Sequence, residues 1–256
     1  MRNVKISIVI ATWNAARTLK MCLDSIIPQL SDNVELVIID GGSSDATTEI
    51  IASYEDKIAY SVSEPDKGIY DAWNKGVKVA KGEWIAFVGA DDVLLPNAMH
   101  TFIKVINSTT DIESYDYICA LNEFVDDNGK ILKIIGGYPA WNVFRYRMNV
   151  AHVASLHNKR NLFETIGDYD LQFRICADYD LLLRKRDKLR TIFIPEHIAR
   201  MKVGGMSFSV KAIREAFKKR KKNHSLGLVI NYIMYLINLV AFYAFLIRNK
   251  IAGAKL

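Results

Sequence analysis

Over its first hundred residues the chain alternates short β-branched runs with stretches of helical periodicity. KISIVIA is followed by a helix near Ala15–Ile27, VELVIID by Ala46–Tyr54, IAYSVS by Ile69–Ala80 and WIAFVG by Asn97–Ile106. Strands that recur with a helix between them pair in parallel, because a parallel pair needs a crossover connection. Ligands of such sheets collect beyond the carboxyl ends of the strands. The segments ATWN, DGGSSD, SEPDKG and GADD all fall at those ends, so the α/β pattern predicts one crevice lined by these four loops.

Beyond residue 107 the alternation loosens. YDYICALNEFVDDNGKILKI reads as two strands about an Asn128-Gly129 turn, and an irregular stretch follows to about Asn149. HVASLHN, a helix near Arg160–Ile166, a helix over Asp178–Lys185 and the strand RTIFIP extend the same domain with mixed sheet order. Charge then divides the chain. Residues 1–199 carry 22 Lys and Arg against 27 Asp and Glu, whereas residues 200–256 carry 12 against 1. The overall +6 therefore belongs to the tail. An acidic body argues against nucleic acid as a partner, and a basic segment beside an apolar one fits an anionic membrane surface.

Those counts place a domain over 1–209 and a membrane-associating helical tail over 210–256. Val210–Lys222 sets Val210, Ile213 and Phe217 on one face among many cations, and residues 225–247 contain no charged side chain. A helix over that run is about 34 Å long, enough to cross a core of about 30 Å. Asn231 and Asn238 on nearly one face, with three tyrosines along the run, suit a helix lying in the interface equally well. The N-terminal apolar run is short and β-branched and lacks a small-residue cleavage site, so it reads as a strand with the body in the cytosol. Cys22, Cys119 and Cys176 are far apart and lack a CxxC spacing, and they read as reduced core thiols.

Within the crevice, Asp40 is followed by Gly41-Gly42-Ser43-Ser44-Asp45, which suits either a close backbone approach to a ligand or a tight turn capping the next helix. Asp66, Lys67 and Gly68 open a helix with Tyr70, Asp71, Asn74 and Lys75, a candidate ligand contact or a solvated face. Asp91 and Asp92 stand four or five residues before Pro96, too early for a helix cap. Two adjacent carboxylates at a strand end, without His or Cys, suit a hard cation, Mg2+ or Mn2+, bound with ligand phosphates. His152 reads as a structural histidine or a site residue, and spacing alone does not separate Asp178 from Asp180 as the functional acid of CADYD.

Taken together, SIVIATWN, VIIDGGSSDAT, SEPDKGIYDAWNKGVKVAKGEWIAFVGADD, HVASLHNKRNLFETIGDYD, CADYDLLLR and GGMS occur in the order found in family 2 glycosyltransferases, from Lys5 to about Ser207. The chain resembles members that build bacterial O-antigen, capsule or exopolysaccharide units on a lipid carrier. The resemblance implies the GT-A fold, with a Rossmann-like nucleotide-binding half, a mixed central sheet and C-terminal basic amphipathic and apolar helices. It implies a nucleotide-sugar donor, a polyprenyl diphosphate-linked saccharide acceptor, work at the cytoplasmic face of the inner membrane, and compatibility with a homo-oligomer. Residue by residue, it implies that Thr12, Asp40, Asp66, Lys67 and Asp91 bind the donor and Asp92 the metal. Asp178 is then the base of an inverting displacement, and His152, Gly204, Gly205 and Ser207 are acceptor or lid elements. The chain departs from the family pattern at Gly89 and Gly41, where many members carry further carboxylates.

Two other classes compete with this reading. A sugar nucleotidyltransferase needs a basic, Gly-rich loop after the first strand, and ATWNAART offers only Arg17. A membrane-associated nucleotide- or sugar-binding module without catalysis could dispense with a base.

Overall fold

The computed structural model describes residues 4–202 and 209–251. In chain order the helices and strands are β1 (Ile6–Thr12), α1 (Leu19–Ile26), β2 (Val34–Asp40), α2 (Thr47–Ala52), β3 (Tyr60–Ser63), α3 (Ile69–Val79), β4 (Trp84–Gly89), β5 (Val93–Leu94) and α4 (Ala98–Ser108). There follow β6 (Tyr117–Val125), β7 (Ile131–Ile135), α5 (Trp141–Phe144), β8 (Ser155–Asn158), α6 (Ala177–Lys185), β9 (Thr191–Lys202), α7 (Val210–Lys222) and α8 (Leu228–Ile251). The strands form one sheet in the order β3-β2-β1-β4-β8-β6-β9-β5, with β7 on β6.

Its first four strands are parallel, as the alternation requires. Beyond β4 the sheet turns mixed, since β8 runs antiparallel to both β4 and β6 while β9 runs parallel to β6. The pleat sorts side chains onto two cores. Ile6, Ile8 and Ile10 of β1 pack with α1 and α4 on one face, and Val9 packs with Trp73 of α3 and Leu181 of α6 on the other. Because both faces are covered, β2 is buried at every residue, which explains its unbroken apolar run.

Two elements differ from the sequence expectation. Arg160–Ile166 begins as a π-helix over Lys159–Glu164, started by the Asn158 side chain accepting from the Asn161 N–H at 3.0 Å. β9 continues through Pro195 to Lys202, because proline removes only one N–H and the register against β6 shifts around Leu121 to absorb it.

Helix α7 packs on the body through Ala212, Glu215, Lys219 and Arg220, so its inward face is largely charged. Phe217 meets Tyr232 and Tyr235 of α8, and Asn231 is fully buried between Arg220 Nε at 2.8 Å and the Phe217 carbonyl at 3.0 Å. Beyond that junction α8 leaves Val229, Ile233, Ile237, Val240 and Tyr243 exposed. Among the described residues no helix is long and apolar enough to cross a membrane.

Candidate active site

In register, Thr12 lies beside Asp40, Ala11 beside Gly89 and Asp40 beside Ser63, so the carboxyl ends of β1, β2, β3 and β4 share one edge. A cleft of about 1080 Å³ opens there, and Thr12, Trp13, Asp66, Lys67, Asp91 and Tyr70 are among its lining residues.

Asp40 holds the loop together from inside. It is fully buried, and its oxygens accept from Thr12 Oγ1 at 2.8 Å, Ser43 Oγ at 2.5 Å, Ser63 Oγ at 2.6 Å and the Ser43 N–H at 2.8 Å. Burial opposes its charge, but these donors outweigh it and hold the carboxyl below its ordinary range. Asn14, at φ 49°, links this loop to the β1 end by accepting the Ser44 N–H at 2.8 Å. The residue between, Trp13, is turned outward and 69% exposed at the cleft. Sequence reasoning passed over it; its signal is an aromatic placed directly after a buried strand.

The departure at Gly41 has a spatial cause. A Cβ at Gly41 would lie 2.6 Å from Oδ2 of Asp66, whose Oδ1 accepts the Gly68 N–H at 2.7 Å. Asp66 thus places its carboxylate against the position where a side chain at 41 would begin.

Gly89 behaves in the same way. A Cβ there would lie 2.9 Å from Oδ2 of Asp92 and 3.0 Å from Oδ1 of Asp91, so both carboxylates close over this glycine. Asp92 is buried, accepts the Gly89 N–H at 2.9 Å and lies 3.3 Å from His152 Nε2. Asp91 is the exposed member and lines the cleft, where lost hydration and then the Asp92 charge raise its carboxyl above the ordinary range. Burial disfavours a charged His152, yet the Asp92 hydrogen bond and charge, with Asp178 and Asp91, raise its pKa.

Across the cleft stands Tyr70, whose hydroxyl lies 2.8 Å from the Ile175 carbonyl and 3.1 Å from Asp178 Oδ1. Asp178 also accepts the Tyr179 N–H at 2.8 Å. Asp180, the alternative acid, is fully buried and bound by Arg184 at 2.6 Å and Asn223 Nδ2 at 2.7 Å. It is held in the α6–α7 contact, whereas Asp178 is joined to the cleft through Tyr70.

The hard oxygen donors that converge over Gly89 fit a divalent cation completed by ligand phosphates. Among the described residues no group of three or more His, Cys, Asp or Glu is gathered for a metal. Gly204, Gly205 and Ser207 lie outside the described residues.

The family model for Glycosyl transferase family 2 matches residues 7–166, which carry β1 from its second residue through β8 and all four cleft-edge loops, with Asp40, Asp66, Asp91 and Asp92. The chain belongs to glycosyl transferase family 2. As a family 2 member it is a glycosyltransferase of the GT-A fold, which sets aside the nucleotidyltransferase and the non-catalytic module. Among its relatives is the PGL/p-HBAD biosynthesis glycosyltransferase of Mycobacterium bovis (strain BCG / Pasteur 1173P2), 35% identical over 181 residues that cover 70% of this chain and 68% of the relative. An uncharacterized glycosyltransferase of Rickettsia typhi is 29% identical over 185 residues, 69% of this chain and 57% of that protein. Staphylococcus aureus TarS 1–349 in complex with UDP shares the fold with a TM-score of 0.68 and 16% identity, over 91% of this chain and 70% of that one. The mannosyltransferase PcManGT from Pyrobaculum calidifontis in complex with GDP-Man and Mn2+ does so with a TM-score of 0.62 and 16% identity, over 94% and 75%.

Proposed function

We propose that this glycosyltransferase moves a sugar from a nucleoside-diphosphate sugar to a hydroxyl of a lipid-linked saccharide, with inversion at C1, on the cytoplasmic face of the membrane. The observation that carries the reading is two kinds of acid about one cleft, a carboxylate pair at its β4 edge and a separate acid joined to it through Tyr70. Asp91 and Asp92 converge at the β4 end, and Asp178 stands behind Tyr70 at the start of α6.

The first pair suits the departing diphosphate. Asp91 and Asp92 would hold Mg2+ or Mn2+, which supplies charge neutralisation for the leaving group. On the same side Trp13 offers an exposed ring for a nucleobase, while Thr12, Asp66 and Lys67 line the donor cleft. Asp40 serves the donor indirectly, by fixing the 41–43 backbone.

The second acid suits the acceptor. As the acceptor oxygen bonds to C1, the bond from C1 to the phosphate oxygen breaks, the electron pair leaves with the nucleoside diphosphate, and the hydroxyl proton passes to Asp178. Its hydrogen bond to Tyr70 aims the carboxylate, and His152 positions Asp92. The exposed apolar residues of α8, carried beyond the basic α7, suit a helix lying in the membrane interface, where a lipid-borne acceptor is confined.

The full chain should release nucleoside diphosphate from one member of a panel of UDP-, GDP- and dTDP-sugars when given Mn2+ and a polyprenyl diphosphate-linked saccharide. NMR of the product should show the inverted anomer. Retention of configuration, or undiminished transfer by Asp178→Asn, contradicts the assignment.

A further inference from the structure

Residues 200–256 contain a single acid among twelve cations, and that acid is Glu215. An isolated carboxylate on a basic helix resting on anionic lipid would add nothing to binding, yet Glu215 is buried, only 7% exposed, against the catalytic body. Its oxygens accept three successive backbone N–H groups: Arg174 at 3.1 Å, Ile175 at 2.8 Å and Cys176 at 3.2 Å. Those residues lead directly into α6, whose second residue is Asp178, and the N-cap Cys176 supplies no capping side chain of its own. Buried N–H groups at a helix entrance require an acceptor, and here it comes from another helix.

The same turn sets the partner of Asp178. The Ile175 carbonyl receives the Tyr70 hydroxyl that also meets Asp178, so Glu215 fixes the backbone from which both carboxylate and tyrosine take their aim. A second tie further along α7, from Lys222 to Asp170 at 2.7 Å and from Asn223 to Asp180 at 2.7 Å, keeps the two helices in register.

We propose that Glu215 is a positioning residue for transfer: through the 174–176 backbone it holds Asp178 and Tyr70 in the geometry that accepts the acceptor proton. The proposal rests on the reading of Asp178 as the base. It separates two functions of the cleft, because Glu215 bonds the 174–176 backbone, whereas Thr12, Asp40 and Asp91 stand at the β1, β2 and β4 ends, although Lys211 of α7 also lines the cleft.

Full-length Glu215→Ala and Glu215→Gln are compared with wild type and Asp178→Asn, with the folded fraction fixed by nucleotide titration. Glu215→Ala should keep the donor KM within about twofold and lower kcat by about 10- to 100-fold, a misplacement loss. Glu215→Gln, which keeps an acceptor oxygen, should recover part of it. In the Asp178→Asn background Glu215→Ala should cost little more, since the two act as one unit. An unchanged kcat in both Glu215 variants, or a full multiplicative loss in the double variant, overturns the positioning role. Should Glu215→Ala fail to fold, Glu215→Gln carries the same comparison. Undiminished transfer by Asp178→Asn overturns the base reading instead, and Glu215→Gln then distinguishes the two failures.

Discussion

The hydroxyl of Tyr70 and the carboxylate of Asp178, 108 residues apart in sequence, meet at 3.1 Å. Tyr70 opens α3 in the parallel half of the sheet, and Asp178 opens α6 in the mixed half. One hydrogen bond therefore joins the half of the sheet that carries the proposed donor side to the half that carries the proposed base. Tyr70→Phe removes that bond together with the hydroxyl's bond to the Ile175 carbonyl. Transfer should fall about tenfold, the worth of one hydrogen bond to a charged group, with the circular dichroism spectrum and melting temperature nearly unchanged. Asp178→Asn should lose about two to four orders of magnitude with donor binding retained.

Chelation tests the carboxylates over Gly89. Transfer by the wild type should stop in excess EDTA and return with Mn2+ or Mg2+. Asp91→Asn and Asp92→Asn should each lower it by at least about a hundredfold, as the loss of several kcal/mol implies. Activity that persists in EDTA contradicts the metal assignment. Because Asp91 faces the cleft and Asp92 faces His152, Asp91→Asn should weaken metal-dependent nucleotide binding directly.

Gly41→Ala should displace Asp66 from its place 2.6 Å from the new Cβ. The expected result is weaker donor binding, read by titration with the nucleotide, at nearly unchanged stability, since the displaced group is a side-chain end. Gly82→Ala is the contrasting case. Its Cβ would lie 2.5 Å from the Ser7 backbone nitrogen and 2.7 Å from the Ile6 carbonyl carbon, which cannot swing aside. It should destabilise by about 1–3 kcal/mol in urea unfolding while leaving donor affinity intact in the folded fraction.

Lys219 gives a pH-dependent signature. It is buried with its ammonium 3.4 Å over the Tyr179 ring, and desolvation pulls its pKa down to about 8 despite the nearby Cys176 and Asp178. Between about pH 8 and 10.5 the unfolded chain then binds the extra proton, so this residue's contribution to stability rises with pH across that window. The urea midpoint of wild type relative to Lys219→Met should move in favour of wild type from pH 7 to pH 10. A constant difference counts against the depressed pKa.

Membrane association is tested with vesicles containing anionic lipid. The full chain should sediment with them, and a chain ending at Met234, which keeps the Asn231 contact with α7, should bind more weakly and release in high salt. Glutamate at Ile237, Val240 and Tyr243 together should act likewise, because all three are exposed on α8. Full-length protein that stays in the supernatant contradicts the interfacial reading.

The donor half was legible because its information is local. WIAFVG and VELVIID are strands by composition and length, and their loops follow at fixed positions along the chain. The pairing of Asp92 with His152, across 60 residues, is a tertiary fact with no periodicity behind it. Asp178 and Asp180 look alike in CADYD, and only the arrival of Arg184 and Asn223 at Asp180 separates them. The α7 pattern suggested an apolar face resting on lipid, yet Phe217 turns to the tyrosines of α8, and Glu215, Lys219 and Arg220 turn inward. Amphipathic reading fails there because each buried charge brings its own partner: backbone N–H groups for Glu215, a ring for Lys219 and an amide for Arg220.

The late position of Glu215 gives the enzyme an order of birth. A chain leaving the ribosome N-terminus first presents β1 to β4, which carry the proposed nucleotide side, well before α7 exists. A nascent chain at that stage lacks the Glu215 acceptor for the turn before Asp178. That acceptor arrives with α7, immediately ahead of the apolar α8, so on the proposed reading competence for transfer and contact with the bilayer are gained in the same stretch of synthesis.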